Sequence, residues 1–212
     1  MGQRRNFGQT CGKRPSCGSE YVPEMGEGGG ADCLNKGESK MWYVMQVYTG
    51  HEAAVCRKCR EEIVREEEEV FVPLAERMTK IKGEWVLTKN RLFPGYVFVE
   101  TENIEDFHVR LKQLRVMTKV LTTGEYMTPL YAEEEAHLQR LLRDGYVAVY
   151  SEGIMEGNRI VVIEGALKGF EGRVKKVLRH KRLAVLEMPL MGRTVEVTVG
   201  LGIVERRQRG GE

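Results

Sequence analysis

The sequence predicts an α+β chain: an N-terminal α/β sandwich of antiparallel strands and helices, then a small β-barrel, the whole preceded by a disordered tail. Three observations carry this. Between residues 41 and 146, apolar residues recur by turns at strand and helix spacing; beyond residue 157 only period-two alternation persists; residues 1–40 show neither.

Residues 1–40 are rich in glycine, with Gly26, Gly28, Gly29 and Gly30 within five positions, and poor in bulky aliphatics. Such a segment buries too little apolar surface to offset the entropy of ordering. The pattern starts abruptly at Met41, which suggests a natural start there and a tail or over-extended reading frame before it.

From Met41, Trp42–Tyr48 is aromatic and β-branched and reads as a buried strand. After the turn Thr49-Gly50-His51 a helix over 52–66 is expected, with a stripe of Ala53, Cys56, Arg60 and Ile63 and Cys59 beside it. Val70–Lys80 and Glu84–Phe93 read as strands around Lys82-Gly83, and Tyr96–Glu100 as a third. A second helix carries Ile104, Phe107, Leu111 and Leu114 on one face, and Val116–Leu121 reads as a further strand. A third helix has Glu133, Glu134 and Glu135 in its first turn and Arg140 and Arg143 near its end, complementing the helix dipole. Residues 147–156 form a short connector. The second domain, 157–207, has strands at Arg159–Glu164, Gly172–Leu178, Leu183–Glu187 and Thr194–Val199, enough for a small barrel. In the last, Val195, Val197 and Val199 share a face, which favours a stable β state over a helical alternative.

Composition narrows the function. At 42% apolar and 30% charged residues the chain is a globular type, and no apolar run approaches the ~18 residues of a spanning helix. Without a signal-like apolar segment behind Met1, a cytoplasmic location is expected. The net charge of +2 conceals segregation: residues 41–146 carry 15 basic and 18 acidic side chains, residues 147–212 carry 12 and 8. Between Gly165 and Arg182 there are seven Lys or Arg against one Glu, which points to a polyanion partner for the second domain.

Enzymatic signals are absent from this reading. Cys56 and Cys59 have the spacing of a metal or redox pair, but they lie on or beside the apolar stripe with no second pair, so they read as core thiols. Cys11, Cys17 and Cys33 lie in the tail, where no metal is expected. Four scattered histidines build no acid–base pair, and Gly169-x-x-Gly172 lacks the Lys-Ser/Thr and helix of a phosphate loop. Glu66–Glu69 reads as a solvated helix end. No cofactor is expected.

Two passages together resemble one family. The first is Trp42-Tyr43-Val44, Gly50-His51-Glu52 and Leu92-Phe93-Pro94-Gly95-Tyr96-Val97-Phe98-Val99. The second is Gly157-Asn158-Arg159-Ile160-Val161-Val162 and Glu164-Gly165-Ala166-Leu167-Lys168-Gly169-Phe170-Glu171-Gly172-Arg173-Val174, closing with Met191-Gly192-Arg193-Thr194-Val195-Glu196-Val197. They resemble the NusG family of transcription elongation factors, in which an NGN domain precedes a KOW domain, and the likeness runs from Met41 to about Arg206. Against the general pattern, the connector is short, Ala166-Leu167 stands where Pro-Phe is usual, Val116 stands where Gly is usual, and Lys175–Arg182 is unusually basic. With the opening Met41–Glu52, these features look most like LoaP, a specialised antiterminating subfamily.

The resemblance implies two partners. One is RNA polymerase, gripped at its clamp helices through the NGN domain by Phe93, Tyr96 and Phe98, with Tyr43 nearby; Trp42 reads as core. Tyr96 and Phe98 share one side of a strand, where either a contact face or the core would take them. A second polymerase contact falls near Asp106-Phe107-His108-Val109, with His108 as the surface candidate. The other partner is a hairpin in a leader transcript, held by Lys168, Arg173, Lys175, Lys176, Arg179, Lys181 and Arg182. Strict alternation puts Arg173 and Lys175 on one face and Lys176 at the rim. Folded RNA is read mainly through phosphates, 2′-hydroxyls and shape, which suits a cationic β-surface. A monomer without membrane contact is expected. The competing readings are a general elongation factor whose KOW domain docks a protein, and a ribosome-associated KOW protein, which would not need the aromatic passage.

Overall fold

The computed structural model describes residues 40–114, 116, 118–123, 126–157 and 159–204. The tail 1–39, with Cys11, Cys17 and Cys33, and residues 205–207 at the end of the expected barrel lie outside them.

The first half begins with β1 (Met41–Val47), α1 (Glu52–Glu62) and β2 (Glu69–Phe71), followed by β3 (Leu74–Ile81), β4 (Glu84–Arg91) and β5 (Tyr96–Thr101). It continues with α2 (Ile104–Gln113), β6 (Thr118–Val120), β7 (Thr122–Thr123), β8 (Tyr126–Met127) and α3 (Ala132–Leu141). The main sheet has the order β2-β5-β1-β6, with β1 and β5 antiparallel. Alternation along β1 and β5 divides the core into two. Tyr43, Met45, Val97 and Val99 face α1 and α2, where they meet Cys59, Ile63, Phe107 and Leu111. Trp42, Val44 and Phe98 face the other way and join Leu138 and Leu141 of α3.

Two expectations shift here. The strand over Val70–Lys80 is interrupted at Val72-Pro73: β2 pairs with β5, whereas β3 turns away to pair with β4. Proline supplies no N–H to a ladder, and its carbonyl instead accepts the Leu92 N–H. On α1, Val55, Cys56 and Cys59 are buried with Ile63 just past the helix, while Ala53 and Arg60 are exposed. Arg60 lies on the outside because its guanidinium reaches the Val70 carbonyl at 2.6 Å.

The second half contains β9 (Val147–Ala148), β10 (Ser151–Glu156), β11 (Arg159–Glu164), β12 (Val174–Leu178), β13 (Leu183–Leu190) and β14 (Arg193–Ile203). Its five-stranded sheet runs β11-β10-β14-β13-β12. The expected connector 147–156 is therefore structured: β9 adds parallel to β3, and β10 pairs in parallel with β14. Its Glu and Gly residues look like loop composition, and only partners distant in sequence make it strand.

The two halves share one unit, Glu38–Glu212. A single apolar cluster runs from Trp42 and Phe71 through Leu138 and Leu141 to Leu167, Leu186 and Met188. Polar contacts reinforce the seam. Arg77 donates to the Thr198 carbonyl at 2.6 Å, and the Tyr150 N–H donates to Glu76 at 3.0 Å. Gly200 is required there, since a Cβ would lie 2.4 Å from both the Glu76 carbonyl oxygen and the Tyr150 ring.

Candidate nucleic-acid interface

β11 and β12 are the two edges of the barrel sheet. Between them lies an open groove of about 620 Å3, floored by Met155, Ile160, Val174 and Val177 and flanked by Arg159, Lys176 and Arg179. A sheet edge carries unpaired backbone groups, and here cationic side chains flank it.

Local structure decides which cations are free. Glu171–Arg173 forms a 3-10 turn, and a β-bulge between Val174 and Lys176 breaks strict alternation, so Lys175 and Lys176 are both exposed. Lys175 is nevertheless engaged, with its Nζ 2.7 Å from Glu196 and 2.9 Å from Glu187. Those hydrogen bonds, that to Glu196 foremost, hold its pKa well above the ordinary lysine value. Arg173 points to α3, its Nη2 2.8 Å from Nε2 of His137. Arg182 lies with its guanidinium carbon 4.6 Å from the ring centre of Trp85. Lys168, Lys176, Arg179 and Lys181 are exposed, and none of the four side chains has a hydrogen-bond or ion-pair partner among the described residues. The seven predicted cations thus separate into four without a partner among the described residues, two engaged by polar groups of the protein, and one lying over an aromatic ring. Arg159 and Trp85 were missed from sequence. Arg159 opens a strand outside the charge run, and Trp85 lies far along the sequence from Arg182, the barrel residue it touches.

The predicted aromatic face is mostly interior. Phe93 is 1% exposed, Phe98 0% and Tyr43 3%, so in this structure none of them offers a binding surface. Phe98 packs against Phe71 and Phe93, while Tyr43 belongs to the core beneath α1 and α2. Tyr96, on the same side of β5 as Phe98, is half-buried and is the aromatic within reach of a partner. His108 is half-buried on α2; its Nδ1 is enclosed without a hydrogen-bond partner, and burial, followed by Lys112, lowers its pKa.

Elsewhere, burial raises the Cys59 thiol to about 12, and Cys56 Sγ donates to the Val70 carbonyl at 3.2 Å. Both are core thiols. Among the described residues no cluster of His, Cys, Asp and Glu is arranged to hold a metal, and no helix is long and apolar enough to cross a membrane.

Comparison with known proteins gives this geometry a family. The family model described as "Transcription termination factor nusG" matches residues 40–139, and that described as "KOW motif" matches residues 156–187. The chain is 30% identical over 174 residues to the transcription termination/antitermination protein NusG of Haemophilus influenzae, covering 79% of this chain and 94% of that one. It belongs to the NusG family. Similar NusG proteins include that of Pasteurella multocida, 29% identical with 79% and 95% covered, and that of Vibrio parahaemolyticus, 29% identical with 82% and 99% covered. Among solved structures, Thermotoga maritima NusG, described under "Domain interaction in Thermotoga maritima NusG", aligns with a TM-score of 0.45 at 20% identity, over 76% of this chain and 94% of that one. NusG proteins are transcription termination/antitermination factors and not enzymes. The NGN assignment falls on the first half and the KOW assignment on the barrel with the cationic groove.

Proposed function

We propose that this NusG-family protein is an antitermination factor that holds RNA polymerase through its NGN half and a structured leader RNA hairpin through its KOW barrel, in the manner of LoaP. The observation that carries the RNA half is the groove between β11 and β12, where Arg159, Lys176 and Arg179 converge on a sheet edge without internal carboxylate partners among the described residues. A cationic groove with an apolar floor suits the phosphodiester backbone of folded RNA, whose base edges are hidden in a deep groove. Lys168 and Lys181 are further exposed cations of the same barrel.

For polymerase, Tyr96 is the contact residue that Phe93 and Phe98 support from beneath, and His108 marks a second contact. Binding across the polymerase cleft shifts its clamp equilibrium by differential affinity for the two states and needs no bond chemistry.

A second reading is a general NusG whose barrel docks a protein; the near-30% identity to general NusG proteins along most of their length favours it. Titration of a structured leader hairpin against a scrambled control separates the two. Selective binding by the full chain, lost in Lys176→Ala/Arg179→Ala with polymerase co-migration retained, supports the antiterminator. Equal weak binding to both RNAs refutes it.

A further inference from the structure

Arg182 is the cation of the basic run that lies over an aromatic ring of the NGN half. It sits at the end of a 3-10 turn (Arg179–Lys181) in the left-handed conformation, φ 53°, a cost a non-glycine side chain bears only when its surroundings hold it there. Two backbone hydrogen bonds do so: the Arg182 N–H donates to the Arg179 carbonyl, and the Arg182 carbonyl accepts from the Leu201 N–H. The side chain then lies over Trp85, at the tip of the β3–β4 hairpin of the NGN half. It is half-buried, and no carboxylate among the described residues pairs with it.

The Arg182 guanidinium carbon lies over the indole 4.6 Å from its ring centre, and its N–H groups have no hydrogen-bond or ion-pair partner among the described residues, which leaves them for a ligand. Together they form a planar fork of N–H donors matched to two phosphate oxygens, and immobilising it in advance removes the rotamer entropy a free arginine loses on binding. A second groove, of about 880 Å3, runs from Met78 of β3 past Tyr150 and Arg182 to Arg179, with Glu152 on its wall. It shares Met155 and Arg179 with the groove between β11 and β12, so the two lie next to each other.

We propose that Trp85 is a positioning residue for RNA recognition: it presents Arg182 as a bidentate phosphate clamp, so that the RNA site crosses from the KOW barrel onto the NGN hairpin. This rests on the RNA-binding role proposed above. The partner is the sugar-phosphate backbone of folded RNA; acidic protein segments are the outcome to be excluded.

The test uses the full chain and the structured leader hairpin in fluorescence-anisotropy titrations, with polymerase binding as a fold control. Trp85→Ala weakens hairpin binding about tenfold, and Trp85→Phe, which keeps a ring face, restores most of it. Arg182→Lys, which keeps the charge but not the fork, behaves as Arg182→Ala does. The double variant Trp85→Ala/Arg182→Ala is no weaker than Arg182→Ala alone, because the ring acts through the guanidinium. Additive losses, or an Arg182→Lys protein that binds like the parent, overturn the clamp while leaving the RNA role of the barrel intact. A parent protein that shows no preference for the hairpin over scrambled RNA overturns both. Loss of polymerase binding in Trp85→Ala together with Trp85→Phe means the ring serves the fold, and overturns the clamp alone.

Discussion

The carboxylate of Glu134 accepts the N–H of Gly192 at 2.9 Å, joining the first turn of α3 to the β13–β14 turn of the barrel. The same carboxylate takes the Met191 N–H at 3.0 Å and the N–H of Tyr131, the N-cap of its own helix, at 3.3 Å. Met191 and Gly192 both have positive φ, 54° and 69°, the conformation of a two-residue hairpin whose amides point outward together. One buried side chain therefore caps a helix and fixes a hairpin in the other half.

Replacing Glu134 by Ala leaves those three amides without their acceptor. We expect a loss of about 2 kcal/mol in urea-induced unfolding of the full chain, within the range for hydrogen bonds to a charged group. Glu133→Ala, an exposed neighbour on the same turn, changes stability little.

The bulge at Lys175 separates lysines that composition treats alike. Lys176→Ala and Arg179→Ala each reduce the slope of log affinity against log salt for the hairpin by about 0.9, one phosphate contact apiece. Lys175→Ala leaves the slope unchanged, because Glu187 and Glu196 already neutralise that ammonium. A full unit lost with Lys175 would mean its two carboxylates release it to the RNA.

Glu52 gives the fold an acid-sensitive joint. Its buried carboxylate accepts the N–H of Gly95 at 2.7 Å and of Gly50 at 2.8 Å, with Arg91 Nε at 2.9 Å. Burial opposes ionisation, but the backbone amides of Gly95, Glu52 and Gly50, together with Arg91, outweigh it, so the folded pKa lies below the ordinary 4.5. The stability this contributes is complete above the unfolded value and is lost as pH falls through the folded one. Unfolding free energy measured from pH 7 downward should fall below about pH 4.5 less steeply in Glu52→Gln than in the parent.

Cys56 and Cys59 should ignore thiol reagents in the native protein. With Cys11, Cys17 and Cys33 replaced by Ser, a disulfide reagent at pH 8 should titrate no thiol until denaturant is added, since Cys59 is buried and raised to about 12. Rapid native labelling would place them in a reactive site.

Much of this was legible from residue order because the relevant physics is local. The near-continuous apolar runs Trp42–Tyr48 and Tyr96–Val99 encode strands buried on both sides, while helical spacing from Ile104 to Leu114 and the Val195, Val197, Val199 face encode which side is apolar, and burial follows them. The family motifs lie on the same elements. Less visible were the break at Pro73, which depends on where Leu92 finds an acceptor, and the strand in 151–156, whose partner is β14.

From its sequence alone the chain settles its two β-containing halves, its family likeness and the position of its excess positive charge, for these follow from periodicity and composition. Tertiary structure alone decides which charges remain available. Whether a lysine faces solvent or a carboxylate, and whether an aromatic ring faces outward or the core, depends on groups brought together from far apart in the chain. Lys175 meets Glu196 because β12, β13 and β14 lie side by side in one sheet, and Arg173 meets His137 and Arg182 meets Trp85 because the barrel and the NGN half pack into one body.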